Sequence, residues 1–261
     1  MKLSSANINV MVKVCRKAAK SLIRDFGEVE KLQVSIKGPG DFVTATDKKV
    51  EKIIIEELQK ARPNYSILSE EVGQIQNDDE FRWVIDPIDG TANFLHGIPH
   101  FAISIGLEQD KEIICGIIYD PIKDEMFLAE KGNGSYLNNQ RIRVSARSKL
   151  KNCIIFTGGP RQNAKNKELS LNEYKKFSSI LQTPIRKMGS ASLDMAYVAA
   201  GRCDGFWQRN LNYWDIAAGI ILVREAGGFV TDFDGNAEFL KNETILATNS
   251  QINQEMIEVL K

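Results

Sequence analysis

The chain has 261 residues, with 34 basic and 34 acidic side chains and a formal net charge of zero. Its 43% hydrophobic and 26% charged residues are those of an ordinary globular protein, which excludes a disordered, collagenous or disulfide-scaffold chain. Zero net charge argues against bulk attraction to nucleic acid or an anionic membrane, and no run approaches the ~20 consecutive apolar residues of a spanning helix.

In chain order, Ile8, Met11, Val12, Cys15, Ala18, Ala19, Leu22, Ile23 and Phe26 recur at helical spacing, and Gly27 is a stop. Residues 1–24 carry six cations and no acid, read as the solvated face of the first helix. Leu32, Val34 and Ile36 alternate as a strand, and Gly38-Pro39-Gly40 is a turn. A second helix spans about 46–61, with Pro63 just past its end. Residues 65–70 and 82–86 read as strands that each end in an acid, with a polar loop at 75–80 between them. Three β runs follow at 101–108, 112–120 and 125–130, joined by hairpin turns at Gln109-Asp110-Lys111 and Pro121-Ile122-Lys123-Asp124.

The pattern then changes to strand 153–157, helix 168–181, strand 184–187, helix 191–201, strand 204–208, helix 214–226, strands 228–233 and 244–248, and helix 251–260. Gly227-Gly228 ends the long helix, and Ser250 is placed as cap of the last. The fold class is α/β, with an α+β N-terminal half (1–143) and a layered α/β C-terminal half (144–261). Charge is uneven across this division. Residues 70–130 hold 14 acids against 3 bases, and residues 141–187 hold 2 acids against 12 bases.

Four cysteines, Cys15, Cys115, Cys153 and Cys203, show no metal-knuckle spacing and are expected as free thiols of a cytoplasmic protein. His96 and His100, the two histidines, are assigned to packing rather than catalysis, as are Trp83 and Trp214.

Chemistry concentrates in Asp86-Pro87-Ile88-Asp89-Gly90-Thr91. Two carboxylates three residues apart sit on a turn at a strand end, stiffened by Pro87. Gly90 admits close approach of a ligand. Thr91 opens a short helix whose free N–H groups suit an anion. Carboxylates converging beside an anion site repel each other and the anion, and a divalent cation resolves the repulsion; hard oxygen ligands suit Mg²⁺. Glu70-Glu71 and Asp215, after Trp214 at a helix start, are the acids available to complete such a site.

These segments resemble the inositol monophosphatase family of magnesium-dependent, lithium-sensitive phosphatases. The likeness runs through Gly40–Asp47, Ser69-Glu70-Glu71, Trp83–Phe94, Gly189-Ser190-Ala191 and Trp214-Asp215 with Glu225-Ala226-Gly227-Gly228, and so spans essentially the whole chain. It implies a layered αβαβα sandwich and two or three Mg²⁺ per site. Glu70, Asp86 and the Ile88 carbonyl look like ligands of one ion, and Asp86, Asp89 and Asp215 like ligands of a second. Asp47 resembles the acid that orders water around a third. Glu70 and Thr91 resemble the pair that positions the attacking water. The resemblance has Gly90 and Thr91 hold phosphate through N–H groups, and Gly189, Ser190 and Ala191 line the alcohol side.

Gln208 stands where many members carry a substrate-binding glutamate, and Lys37 lies near a family lysine of uncertain register. The implied activity is hydrolysis of inositol 1-phosphate or related sugar and polyol monophosphates by metal-activated water, in a homodimer. The alternatives are a fructose 1,6-bisphosphatase or 3′-phosphoadenosine 5′-phosphate phosphatase of the same superfamily. A further alternative is an RNA or transcription-antitermination partner, as in the bacterial extragenic-suppressor branch.

Overall fold

The computed structural model describes residues 5–29, 34–38, 41–77, 80–159 and 166–261, with backbone only at 34–38 and 41–44. Pro39, Gly40 and the Lys37 side chain lie outside this description.

Helices α1 (Ala6–Phe26) and α2 (Ala45–Ala61) flank a ribbon of β1 (Val34–Gly38) and β2 (Asp41–Thr44). The main sheet follows: β3 (Ser66–Ser69), β4 (Gly73–Ile75), β5 (Phe81–Asp89), β6 (Ala102–Gln109), β7 (Glu112–Asp120), β8 (Glu125–Glu130), β9 (Gly134–Leu137) and β10 (Gln140–Ile142). Its order is β10-β9-β8-β7-β6-β5-β3-β4, antiparallel except where β3 runs parallel to β5. A short helix, α3 (Thr91–Leu95), separates β5 from β6. A second sheet, β11-β12-β14-β13, is built from β11 (Ile155–Thr157), β12 (Gly205–Arg209), β13 (Phe229–Thr231) and β14 (Thr244–Thr248). Helices α4 (Lys167–Ile180), α5 (Ala191–Ala199), α6 (Tyr213–Glu225) and α7 (Asn253–Leu260) complete the chain.

Side-chain alternation sorts these elements into layers. Trp83, Ile85, Ile103, Ile105 and Ile117 point from the large sheet into one core with α1 and α2. Val84, Ala102, Ile118 and Phe127 point the other way, onto α5 and α6. Phe206 and Ala247 of the small sheet close that second core, while their neighbours Trp207 and Leu246 face Phe177 of α4 and Met256 of α7. The result is the expected αβαβα sandwich. All four cysteines are free and buried, and no helix among the described residues is long and apolar enough to cross a membrane.

Helix α6 is apolar almost all round, with every residue from Asp215 to Val223 buried, as its place between two sheets requires. Gly106 and Gly116 lie opposite each other on β6 and β7 and make a trough for it. A Cβ on Gly116 would stand 2.6 Å from Ile221 Cγ2 and 2.8 Å from the Ala218 carbonyl oxygen, and one on Gly106 3.2 Å from Ala217 Cβ. Both helix ends are pinned. Tyr213 donates its hydroxyl to Glu108 of β6 at 2.7 Å, and Glu108 also pairs with Arg82 at 2.8 Å. At the far end Glu225 accepts the N–H groups of Gly132 and Gly134 at 2.9 and 2.8 Å.

Several expectations are corrected. The polar loop at 75–80 begins with Ile75, the last residue of β4. Asn138-Asn139 is a tight turn with φ of 45° and 70° between β9 and β10, where no hairpin was expected. Residues 184–187 form no strand; a single parallel bridge joins Arg186 to Phe156. Ser250 is not the cap of α7, whose N-cap position is Ile252 with no side-chain cap bond; in the turn before the helix Asn249 Oδ1 accepts the N–H groups of Gln251 and Ile252 at 2.9 and 3.1 Å.

Gly116→Ala is expected to destabilise the chain by about 1–3 kcal/mol, the usual cost of overpacking. Gly106→Ala should cost less, because its Cβ meets a side-chain methyl rather than helix backbone. Urea unfolding of the two variants checks the ranking.

Candidate active site

Strand β5 carries the first two carboxylates. Its pairing with β6 is regular to Asp86, breaks, and resumes at Asp89; Pro87, which has no N–H to give a ladder, lies in the break. The irregularity turns Asp86 and Asp89 toward one pocket. Asp86 Oδ1 accepts the N–H of Ile88 at 3.0 Å. Gly90 then takes φ +95°, and a Cβ there would lie 3.1 Å from the His100 carbonyl oxygen and 3.3 Å from that of Gly189, so the turn closes only with glycine. Thr91 donates its hydroxyl to the Ile88 carbonyl at 2.8 Å.

The second half of the chain binds this turn directly. Asp89 caps α5 from outside that helix. Its Oδ2 accepts the hydroxyls of Ser190 and Ser192, each at 2.5 Å, and the N–H of Ser192 at 2.7 Å. Its Oδ1 accepts the N–H of Ala191 at 3.3 Å. Asn93 donates to the carbonyls of His100 and Met188, both at 2.8 Å, locking α3 to the loop before α5. Asp215 stands in the first turn of α6, where its Oδ2 accepts the Asn212 N–H at 2.7 Å. The trough described above thus brings Asp215 over β5. One oxygen from each of Asp86, Asp89 and Asp215 lies within 4.8 Å of the others, and all three residues are buried.

Electrostatics shows what this convergence costs. Burial raises the Asp86 carboxyl well above its ordinary range, and the charges of Glu70, Asp89, Asp215 and Asp47 raise it further. Burial also raises Asp89, against the lowering effect of its bonds to Ser190, Ser192 and Ala191. Three hard oxygen donors crowded in a desolvated pocket fit a divalent cation such as Mg²⁺, which neutralises the repulsion.

Glu70, Ile88, Gly90, Thr91, Gly189, Ser190, Ala191 and Gln208 all line the same pocket. Glu70 follows β3 and lies outside the three-carboxylate group. Its turn is held by buried Glu51 of α2, which accepts the Ser69 hydroxyl and the N–H groups of Glu71 and Val72, the latter two at 3.0 and 3.3 Å. Asp47, in the first turn of α2, is buried near enough to act on Asp86 but is not part of the pocket wall. His100 is buried edge-on to Tyr197, and desolvation, then Lys123, lowers it to about 4. It packs, as expected, and stands apart from the pocket.

Sequence reasoning missed Gly158, Gly159, Leu211 and Asp194 in the pocket wall. Gly158 leaves room for the Gln208 side chain, whose Oε1 would be 2.1 Å from any Cβ there. Asp194 offered a signal: it follows Ser190 and Ala191 by four and three residues, so it shares their helix face. Burial, then the Asp89 charge, raises its carboxyl well above the ordinary range.

The inositol monophosphatase family pattern matches residues 5–260. The chain belongs to this family. An inositol-1-monophosphatase of Rhizobium meliloti is 51% identical over 258 residues, covering 98% of this chain and 97% of that protein. A Nus factor SuhB of Pseudomonas aeruginosa is 40% identical over 259 residues, covering 97% of this chain and 95% of that protein. Among solved structures, the extragenic suppressor protein suhB of Bartonella henselae superposes with a TM-score of 0.95 at 50% identity, covering 98% of this chain and 99% of that one. Family membership and the three converging carboxylates agree on a phosphatase-type pocket.

Because Asp86 keeps its proton in the folded chain where the unfolded chain has lost it, the folded state binds more protons above about pH 4. Metal-free stability should therefore fall as pH rises from about 4 toward the raised folded value. Asp86→Asn removes one charge, so at pH 8 without Mg²⁺ this variant should melt higher than the parent. Thermal melts at pH 5 and pH 8 check both statements; a parent more stable at pH 8 than at pH 5, with no such change in the variant, contradicts them.

Proposed function

We propose that the chain is a Mg²⁺-dependent phosphomonoesterase acting on inositol 1-phosphate or related sugar and polyol monophosphates. The observation that carries this reading is the meeting of Asp86, Asp89 and Asp215 within 4.8 Å beside the Gly90-Thr91 turn, in a chain of this family. Glu70, Asp86 and the Ile88 carbonyl are the proposed ligands of one ion, and Asp86, Asp89 and Asp215 those of another. Asp47 is assigned to water around a third. When bound, the ions supply an activated water and stabilise the departing alkoxide.

The protein's own groups do the positioning. Thr91 gives its proton to the Ile88 carbonyl, which leaves its oxygen lone pairs as acceptors for the attacking water, with Glu70 as the second acceptor. N–H groups of Gly90 and Thr91 hold the phosphoryl oxygens. Gly189, Ser190 and Ala191 face the alcohol. Gln208 both donates and accepts, so it hydrogen-bonds hydroxyls without the charge that strengthens such bonds in a carboxylate. This supports a site that takes several polyols.

We place the protein in the cytoplasm as a homodimer, on the family resemblance, and divide it at 143/144 into a half carrying most ligands and a half completing the site. The relatives named Nus factor SuhB support a second role, association with a transcription complex.

Phosphate release from a panel of inositol, sugar and nucleotide phosphates should require Mg²⁺ and favour polyol monophosphates. Asp89→Asn should lower turnover by at least about 100-fold, because the ions contribute several kcal/mol of charge stabilisation. A transcription role that this variant fully retains belongs to the surface and not to the cage. Millimolar Li⁺ should inhibit at saturating Mg²⁺, since it can enter a weak metal position without supplying divalent charge; undiminished turnover would count against the assignment.

A further inference from the structure

Asp194 is 1% exposed, and neither of its carboxylate oxygens has a hydrogen-bond partner among the described residues. It lies in the pocket wall beside the cage. A buried carboxylate is ordinarily paired or hydrogen-bonded, yet the first turn of α5 has no donor left for it. Ala191 and Ser192 give their N–H groups to Asp89, Leu193 gives its to the Ser190 hydroxyl, and Asp194 gives its own to the Ser190 carbonyl. The Ser190 and Ser192 hydroxyls also go to Asp89. Whatever satisfies Asp194 has to come from the pocket.

Asp194 is not among the carboxylates whose oxygens crowd within 4.8 Å of one another. It therefore stands one step outside direct ligation. Mg²⁺ keeps several of its waters when bound by few carboxylates, and those waters need acceptors. Asp89 offers little further capacity, since its Oδ2 already accepts three bonds.

We propose that Asp194 is the outer acceptor for water carried by the cation in the Asp86–Asp89–Asp215 cage, and so a positioning residue that sets cation affinity. The inference rests on the Mg²⁺ reading above and adds to it a residue one layer behind the ligands. It also accounts for an acid that otherwise only adds repulsion to a site already short of positive charge.

The test is Mg²⁺ binding by the full chain, followed by calorimetry and by the Mg²⁺-dependent rise in melting temperature. The parent, Asp194→Asn, Asp194→Ala and Asp215→Asn are compared. Outer-layer partners of metal sites typically contribute 10–100-fold in affinity. Asp194→Asn should weaken Mg²⁺ by about tenfold and Asp194→Ala by more, while both melt at or above the parent without Mg²⁺. Asp215→Asn should lose the Mg²⁺ response.

If Asp215→Asn loses Mg²⁺ but both Asp194 variants bind it within twofold of the parent, the cage stands and the role given to Asp194 is overturned. That role is equally overturned if these variants change only the KM for the phosphate ester, since Asp194 then faces the substrate. A parent that ignores Mg²⁺ overturns the cation reading itself, and this inference with it. Should Asp194→Ala fold poorly, the near-isosteric Asn variant alone decides.

Discussion

The structure is organised around a repulsion. Asp86, Asp89 and Asp215 are driven together in a buried pocket where the charges of the other two make Asp86 harder to ionise, with Asp194 adding a fourth buried acid. Their mutual repulsion opposes that arrangement. The force that maintains it comes from the apolar docking of α6 between two sheets and of α5 beside it, which buries enough surface to offset the electrostatic cost. The site is thus a strained feature supported by the surrounding core, as functional sites commonly are.

Three devices make that support rigid. The facing glycines of β6 and β7 let α6 lie against the sheet backbone, so its height is fixed by contact rather than by adaptable side chains. The Tyr213–Glu108–Arg82 and Glu225 contacts fix its ends and therefore its slide along the trough. Asp89 is itself a tie between halves, since a carboxylate from β5 fills the N-terminal turn of α5. The same hydrogen bonds that make this join keep Asp89 more acidic than burial alone would allow. Fastening the halves and maintaining a charged ligand are one interaction.

Much of this was legible in the sequence because its signals are local. Two acids around a proline at a strand end, then Gly-Thr, specify a turn whatever surrounds it, and the apolar periods mark a layered α/β chain, while the αβαβα order came from the family resemblance. What was not legible depends on partners far along the chain. Residues 184–187 look like a strand but share only one ladder position with β11, at Arg186 and Phe156. Strand β4 is three residues long and exists because β3 offers it an edge, and the Asn138-Asn139 hairpin joins strands of only four and three residues. Ser250 has the right chemistry for a cap, yet α7 begins at Asn253 and Asn249 holds the turn that leads into it. Asp194 was passed over, because its burial appears only when α5 is packed. Glu51 was hidden in the same way, its role being to gather the turn that carries Glu70.

The tie between Asp89 and α5 links positions a hundred residues apart, and Asp215 reaches back further still to Asp86. During synthesis the chain up to β10, with α1, α2 and the strands of the large sheet, precedes α5 and α6. Such a nascent chain exposes the apolar face that α5 and α6 later cover, and its two acids on β5 lack both Asp215 and the hydrogen bonds from α5. Asp215 joins them only on docking, so closure of the Asp86–Asp89–Asp215 cage belongs to the last step of folding. Ambient Mg²⁺ should consequently act on this chain as a latch that slows its opening more than it speeds its assembly.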